Sequence, residues 1–430
     1  MAVERTGCVV VGGGPAGLVF ALLLARAGVA VTVLEKHADF LRDFRGDTVH
    51  ASTLTLLDEL GLGERFAALP QRRIDRGQVH LGDSLWTVAD LSRLPGAHQH
   101  IALVPQWDFL ELVASAAAED RSFALRRNAE VTGLAYEQGR VVGVGYRDRT
   151  TGTGHELRAG LVVGADGRDS AVRTAAGLRP RTFGAPIDVW WFRLPRTATD
   201  PGGIGGWVGE RQLMIMIDRG DYWQCGYVIG KGHDAALRSD GIEAFRARLA
   251  GLVPWLGDRA AALTSFDDVR LLKVRLERLR RWYADGLLLI GDAAHAMSPV
   301  GGVGINLAVQ DAVAAGRILG PVLRSGSAVT VAQLRAVQRR RAWPAATIQA
   351  FQRVAHAGLA GPRAALANPP AVSAGSRPPA TAPLPLRLLD RFPVLQGLPA
   401  RAIAIGPRPE HAPDWARPTV GPRRSTRAHR

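Results

Sequence analysis

Three glycines at fixed spacing, Gly12-x-Gly14-x-x-Gly17, directly follow the β-branched run Val9-Val10-Val11 and precede an Ala/Leu-rich stretch from Leu18 to Ala27. Residues without a Cβ let backbone N–H groups approach an anion, and the positive end of a following helix favours one there. The chemistry this spacing suits is pyrophosphate binding, with Pro15 and Ala16 in the turn. Glu35, 18 residues after Gly17, ends a second apolar run from Val29 to Leu34. A carboxylate at that place accepts both hydroxyls of an adenosine ribose. Strand, glycine turn, helix, strand and acid in this order predict a dinucleotide site. A terminal Glu favours a free 2′-hydroxyl, hence FAD or NAD over NADP.

Two later stretches decide between these. Leu161-Val162-Val163-Gly164 runs into Ala165-Asp166-Gly167-Arg168, and Asp169 to Arg173 can open a helix. Leu287 to Ile290 is a short apolar strand ending in Gly291-Asp292-Ala293-Ala294-His295. Pro299-Val300-Gly301-Gly302-Val303-Gly304-Ile305-Asn306 follows, before a helical stretch from Leu307 to about Leu323. An Asp at a strand end suits a ribityl hydroxyl. A glycine-rich helix start beneath a flavin ring directs its dipole to the edge where negative charge develops on reduction.

Taken in order, GGGPAG, GADGRDSAVR and GDAAHAMSPVGGVGIN resemble the three fingerprints of the group A FAD-dependent monooxygenases, of para-hydroxybenzoate hydroxylase-like fold, over roughly residues 5 to 350. The resemblance implies that Gly12, Gly14 and Gly17 cradle the FAD pyrophosphate, with Pro15, Ala16 and Lys36 beside them, and that Glu35 binds the adenosine ribose. Arg45 is implied near the FAD phosphates and ring, Gln106 at the flavin side and Val131 as a backbone contact to adenine. Asp166 belongs to a motif shared between FAD and NAD(P)H, Asp292 to the ribityl chain, and Pro299, Gly302, Gly304 and Ile305 to the isoalloxazine. The implied reaction uses NADH or NADPH as transient reductant and O2. It hydroxylates or epoxidises an aromatic or polycyclic small molecule through a flavin C4a-hydroperoxide. The alternative of the same fold is a reductase, or a flavoprotein without oxygen insertion. Arg45-Gly46-Asp47-Thr48-Val49-His50 departs from the arginine-alanine loop of the phenol hydroxylases. Neither the catalytic lysine position nor the tryptophan-rich signature of flavin halogenases is present, and no second nucleotide motif points to a separate NADPH domain.

The elements that must position these residues give an α/β chain: a Rossmann-like FAD-binding domain interleaved with a mixed β-sheet substrate domain, plus a C-terminal helical or irregular extension. The expected pieces are residues 1–75, 97–180 and 268–355 for the FAD domain, 76–96 and 181–267 for the sheet domain, and 356–430 for the extension. Val189 to Leu194 and Tyr222 to Val228 read as aromatic-rich strands. They and their surroundings supply the candidate substrate contacts Trp191, Trp207, Tyr222, Trp223 and Tyr227, with His50 beside the arginine loop. Aromatics alternating along a strand also serve as core, and His50 can instead brace a helix starting at Ser52. His295 is expected to brace its own motif. No general base is assigned. Gly202 to Gly206 lacks the flanking strand and helix of a nucleotide site and reads as a loop or hairpin region.

Composition narrows the remaining classes. Of the formal charge of +15, residues 351–430 with 12 Arg and 3 acids carry most, leaving +6 for the first 350. The tail also holds 14 of the 26 prolines, in residues 361–430, which predicts irregular chain in which Leu384 to Ile405 can still dock a short helix. The Arg-rich end from Arg417 to Arg430 speaks for a different class, a basic nucleic-acid or membrane-surface binder, and the absence of a recognition motif or a regular amphipathic basic helix speaks against it, so no nucleic-acid partner is expected. Two cysteines are too few for a disulfide framework or a metal cluster, and a reducing cytoplasm fits them. The apolar run from Cys8 to Leu34 is broken by Gly12-Gly13-Gly14-Pro15 and is therefore no membrane span.

Overall fold

The computed structural model describes residues 4–41, 48–82, 84–209, 212–360 and 382–418. Its first strand, Glu4–Val11, is buried where it turns apolar, at Cys8 to Val11. Apolar residues on both faces suit a strand flanked on two sides, and it pairs in parallel with Val31–Leu34 and Gly154–Gly164. The Gly154–Gly164 strand continues the parallel array to Leu287–Leu289, and Val31–Leu34 continues it to Phe123–Arg126. A meander, Ala129–Glu137 and Arg140–Asp148, and the edge strand Tyr283–Ala284 join antiparallel and complete an eight-stranded sheet. Helices Pro15–Arg26, Gln106–Ala118 and Gly304–Arg324 share one core over this sheet. The expected α/β architecture is present.

A second, seven-stranded sheet runs in the order Arg270–Leu272, Ile187–Pro195, Tyr222–Gly230, Leu213–Asp218, Ile204–Val208, Arg76–Leu81 and Ser84–Asp90. Its neighbours are antiparallel except for the parallel pair Ile204–Val208 and Arg76–Leu81. The edge strand Arg270–Leu272 lies just past the boundary expected at 267. Gly202 to Gly206 leads into one of these strands, as a hairpin reading requires.

The sheet's side chains alternate between faces. Trp190, Phe192, Leu194, Trp223, Cys225 and Tyr227 pack with Phe245 and Leu249 of the helix Ile242–Leu252. Ile187, Val189 and Trp191, with Gln224, Gly226 and Val228, face the other way. Both strands are apolar on both sides, so the pattern itself carries no label for which face is core.

The C-terminal region contributes helices Leu384–Arg391 and Gly397–Ala404. The second buries Ala400 and Ala404 against Ala51, Ala89, Leu91 and Leu94, so the docking expected for Leu384 to Ile405 occurs. Residues 361–381 and 419–430, which hold much of the expected irregular tail and half of its arginines, lie outside the described residues. Cys8 and Cys225 are free, buried thiols whose pKa burial raises. No helix among the described residues is long and apolar enough to cross a membrane.

Candidate active site

Gly12 takes φ +103°, and a Cβ there would lie 2.5 Å from the Ala165 carbonyl oxygen. A Cβ on Gly17 would lie 2.0 Å from the Gly12 carbonyl oxygen, so helix Pro15–Arg26 sits against the turn only because both are glycines. Gly14 instead has open space where its Cβ would point. It is the N-cap of that helix, whose first turn has neither a capping side chain nor an acid. This open, uncapped N-terminus beside close-packed glycines is a cradle of the shape and charge a pyrophosphate needs. Glu35 closes its edge, accepting from Gly13 N–H at 2.8 Å and His37 N–H at 3.0 Å. The cradle fits an FAD.

The other expected cofactor residues fall as follows. Asp166 accepts from Ser170 Oγ at 2.5 Å and Val172 N–H at 3.1 Å, which ties it to the helix Ala171–Ala175, and burial raises its pKa. Asp292 is held by Arg168 Nε at 3.0 Å. Gln106 opens its helix half-buried, Val131 is buried in the meander, and Lys36 is exposed, its carbonyl accepting from Arg149. Arg45 lies outside the described residues.

Pro299, Gly302, Gly304 and Ile305 line a cavity of about 340 Å³, a volume at the small end of the range for ligand pockets. The N-terminus of the long helix Gly304–Arg324 therefore opens onto it. A Cβ on Gly302, at φ +63°, would lie 2.7 Å from Thr48 Oγ1, which donates to the Gly302 carbonyl at 2.9 Å. Asn306 Oδ1 accepts from Ser52 Oγ and Thr53 Oγ1 at 2.9 and 2.6 Å, tying this helix to the one that follows Thr48. Beneath the turn, buried Asp311 accepts from His295 Nε2 at 2.5 Å, Gly291 N–H at 3.1 Å and Arg341 Nε at 3.1 Å. Burial alone would raise the Asp311 pKa, but His295 and Arg341 hold it below the usual carboxylate value. His295 thus braces its own motif.

Much of the remaining wall is the inward face of the seven-stranded sheet, where Trp191 sits among Ile, Val and Leu side chains. Its polar points include Gln224, whose Oε1 accepts from Arg219 Nε at 2.8 Å, and Arg168. Of the aromatic candidates, Trp191 alone lines this cavity. Trp207, Trp223 and Tyr227 project to the opposite face by the two-residue period of their strands. There Trp207 stacks on His80 at 4.7 Å and Tyr227 donates to Gln212 at 3.1 Å. Tyr222 is covered by the Arg193 guanidinium, 4.6 Å from its ring centre.

His50, expected as a substrate contact, does not line the cavity either. Its buried ring bonds through Nδ1 to the Ile403 carbonyl, 2.8 Å away, instead of facing the cavity, and burial lowers its pKa to about 4. It immediately precedes the helix Ala51–Glu59 but makes no side-chain cap bond to it. Sequence reasoning missed Thr48, Arg219, Gln224, Ala400 and Ile403. Only Thr48, inside the expected arginine loop, carried any local signal.

A family model described as an FAD binding domain matches residues 5–350. The chain is a group A FAD-dependent monooxygenase. This monooxygenase is 37% identical over 328 residues to 6-methylpretetramide 4-monooxygenase of Streptomyces rimosus, covering 74% of its own chain and 76% of the relative. It is 30% identical to rifampicin monooxygenase of Streptomyces venezuelae, over 71% of its own chain and 62% of that protein. Among solved structures it resembles the anhydrotetracycline hydroxylase of Streptomyces rimosus, with a TM-score of 0.69 at 24% identity over 93% and 76% of the two chains. The match of the family model ends before the C-terminal helix Gly397–Ala404, which reaches the cavity of this monooxygenase.

Proposed function

We propose that the monooxygenase inserts one oxygen atom of O2 into a polycyclic aromatic small molecule, by hydroxylation or epoxidation, with NADH or NADPH as reductant. The observation that carries this is the cavity: an apolar, sheet-walled space that shares Pro299, Gly302, Gly304 and Ile305 with the expected flavin site. Flat apolar walls with few polar points suit a planar, fused-ring ligand held by shape and desolvation. Bound FAD supplies electron transfer to oxygen. The chain itself holds the ligand against Trp191 and the Ile and Val side chains, excludes water, and directs the Gly304–Arg324 helix dipole at the cavity. Arg219, oriented by Gln224, is suited to a phenolic or enolic oxygen of the ligand. The relatives' names support the substrate class, since they act on pretetramide and rifampicin. Two buried free thiols agree with a reducing compartment, the cytoplasm.

The test is a screen of polycyclic phenols for stimulated NADPH or NADH oxidation by the FAD-loaded protein, with mass spectrometry under 18O2. Incorporation of one labelled oxygen into a product is expected. Reductant consumption that yields only hydrogen peroxide with every compound would refute oxygen insertion.

A further inference from the structure

Part of the cavity wall comes from well beyond the family match. Ala400 and Ile403, on the helix Gly397–Ala404, face the cavity along with the sheet and the glycine turn. The segment bearing them is built in. Three successive carbonyls, of Ile403, Ala404 and Ile405, accept from His50 Nδ1 at 2.8 Å, Ser52 Oγ at 3.3 Å and Gln310 Nε2 at 3.5 Å. Those donors belong to the segment after Thr48 and to the long helix Gly304–Arg324, the same two elements that shape the turn at Gly302. A few residues on, the buried carboxylate of Glu410 is held by Arg340 and Arg341, and Arg26 donates to the Ala416 carbonyl at 2.8 Å. A wall clamped at Ile403 and just beyond it, with Ala400 packed against Ala89, Leu91 and Leu94, is held firmly enough to discriminate by size.

We propose that Ala400 and Ile403 are specificity-determining residues. They limit the size of the ring system the cavity admits, and His50 is the positioning residue that holds Ile403 in place. This rests on the polycyclic aromatic reading above. The small side chain at 400 leaves room that a larger one would take from the ligand. The branched side chain at 403 fills room that alanine would release. In an apolar pocket a change of one or two carbons in fit is worth roughly 10- to 200-fold in selectivity.

The experiment uses the oxidised, FAD-loaded protein without reductant and reads ligand binding from the perturbed visible spectrum of the flavin. The probes are phenols of one to four fused rings and straight-chain alcohols of matched lengths. Ile403→Ala is expected to move the preference towards larger ring systems, and Ala400→Leu to weaken the largest ligand that binds the parent protein, each by about tenfold. His50→Leu should flatten the size preference. His50→Asn, which keeps an N–H donor for the Ile403 carbonyl, should restore it, a rescue that general loss of packing would not give. An unchanged ranking in both size variants with full FAD content would overturn the proposal. If alcohols bind and phenols do not, the aromatic reading fails, and the wall stands or falls on whether the same variants shift the chain-length limit. If no probe of either series perturbs the flavin, both are refuted.

Discussion

Replacing Glu410 with Gln removes one charge while keeping the side chain's shape, at the point where the C-terminal segment is anchored. The Glu410 carboxylate is fully buried. It takes hydrogen bonds from Arg340 Nε at 2.8 and 3.0 Å, from Arg340 Nη2 at 2.7 Å and from Arg341 Nη1 at 3.3 Å. Arg341 is itself fully buried and would retain Asp311, Gln310 and the Arg408 carbonyl. Removing one partner of a buried ion pair costs ~3–5 kcal/mol. Arg340 keeps 28% of its side-chain exposure, and the amide oxygen still accepts a bond, so the loss here should be about 2–3 kcal/mol. At about 1.4 kcal/mol per tenfold, the detached segment should rise in population about 30- to 150-fold. Native-state hydrogen exchange reads this directly. The amides of Ile405 and Gly406, which bond to the Arg401 carbonyl, and of Ala412, which bonds to Glu59, should exchange faster by that factor. Those of the central strand Glu4–Val11 should not change. Equal acceleration in both regions would show that Glu410 stabilises the whole molecule and not this segment. Acceleration of less than twofold in Ile405, Gly406 and Ala412 would refute the anchoring argument outright.

Gly17→Ala places a methyl 2.0 Å from the Gly12 carbonyl oxygen, so turn and helix must separate. The expected cost is ~1–3 kcal/mol, with most FAD absent from the purified protein by its 450 nm absorbance, and full FAD content at parental affinity would contradict it. Trp191→Ala should weaken binding of aromatic ligands, whereas Trp207→Ala should lower stability in urea by ~3–5 kcal/mol and leave ligand binding intact; the reverse pattern would mean the sheet faces are misassigned. His50 is kept neutral in the folded chain down to about pH 4, while in the unfolded chain it protonates near 6.5. Its contribution to stability is therefore intact above pH 6.5 and declines as the pH falls from there towards 4. Between pH 7 and 5 the parent should lose about 2 kcal/mol more than His50→Asn in urea titrations, and equal losses would exclude His50 as the cause.

The pyrophosphate cradle was legible because its logic is local. Val9 to Val11, the glycines, the helix and Glu35 lie within one short stretch, and Gly12 and Gly17 answer steric demands made by an adjacent strand's end and by the turn itself. The same holds for His295, whose partner Asp311 sits on the helix that follows, whereas the demand on Gly302 comes from the distant Thr48. The substrate side was legible only as a sheet. Val189-Trp190-Trp191-Phe192 is apolar at every position, so its period of two leaves open which residues face a cavity, and Trp207, Trp223 and Tyr227 proved to be on the packed face.

What the sequence determined by itself is the α/β fold, the family and the dinucleotide cradle, since these follow from short-range spacing. Tertiary structure alone decided the substrate wall. His50 and Ile403 are 353 residues apart, and nothing near either one predicts their hydrogen bond. The Pro- and Arg-rich composition that made the tail look like an appendage says nothing about Glu410, whose burial exists only once Arg340 and Arg341 are brought to it. A charge can be buried there because its partners come from a distant helix, and that pairing ties down the segment that also carries Ala400 and Ile403.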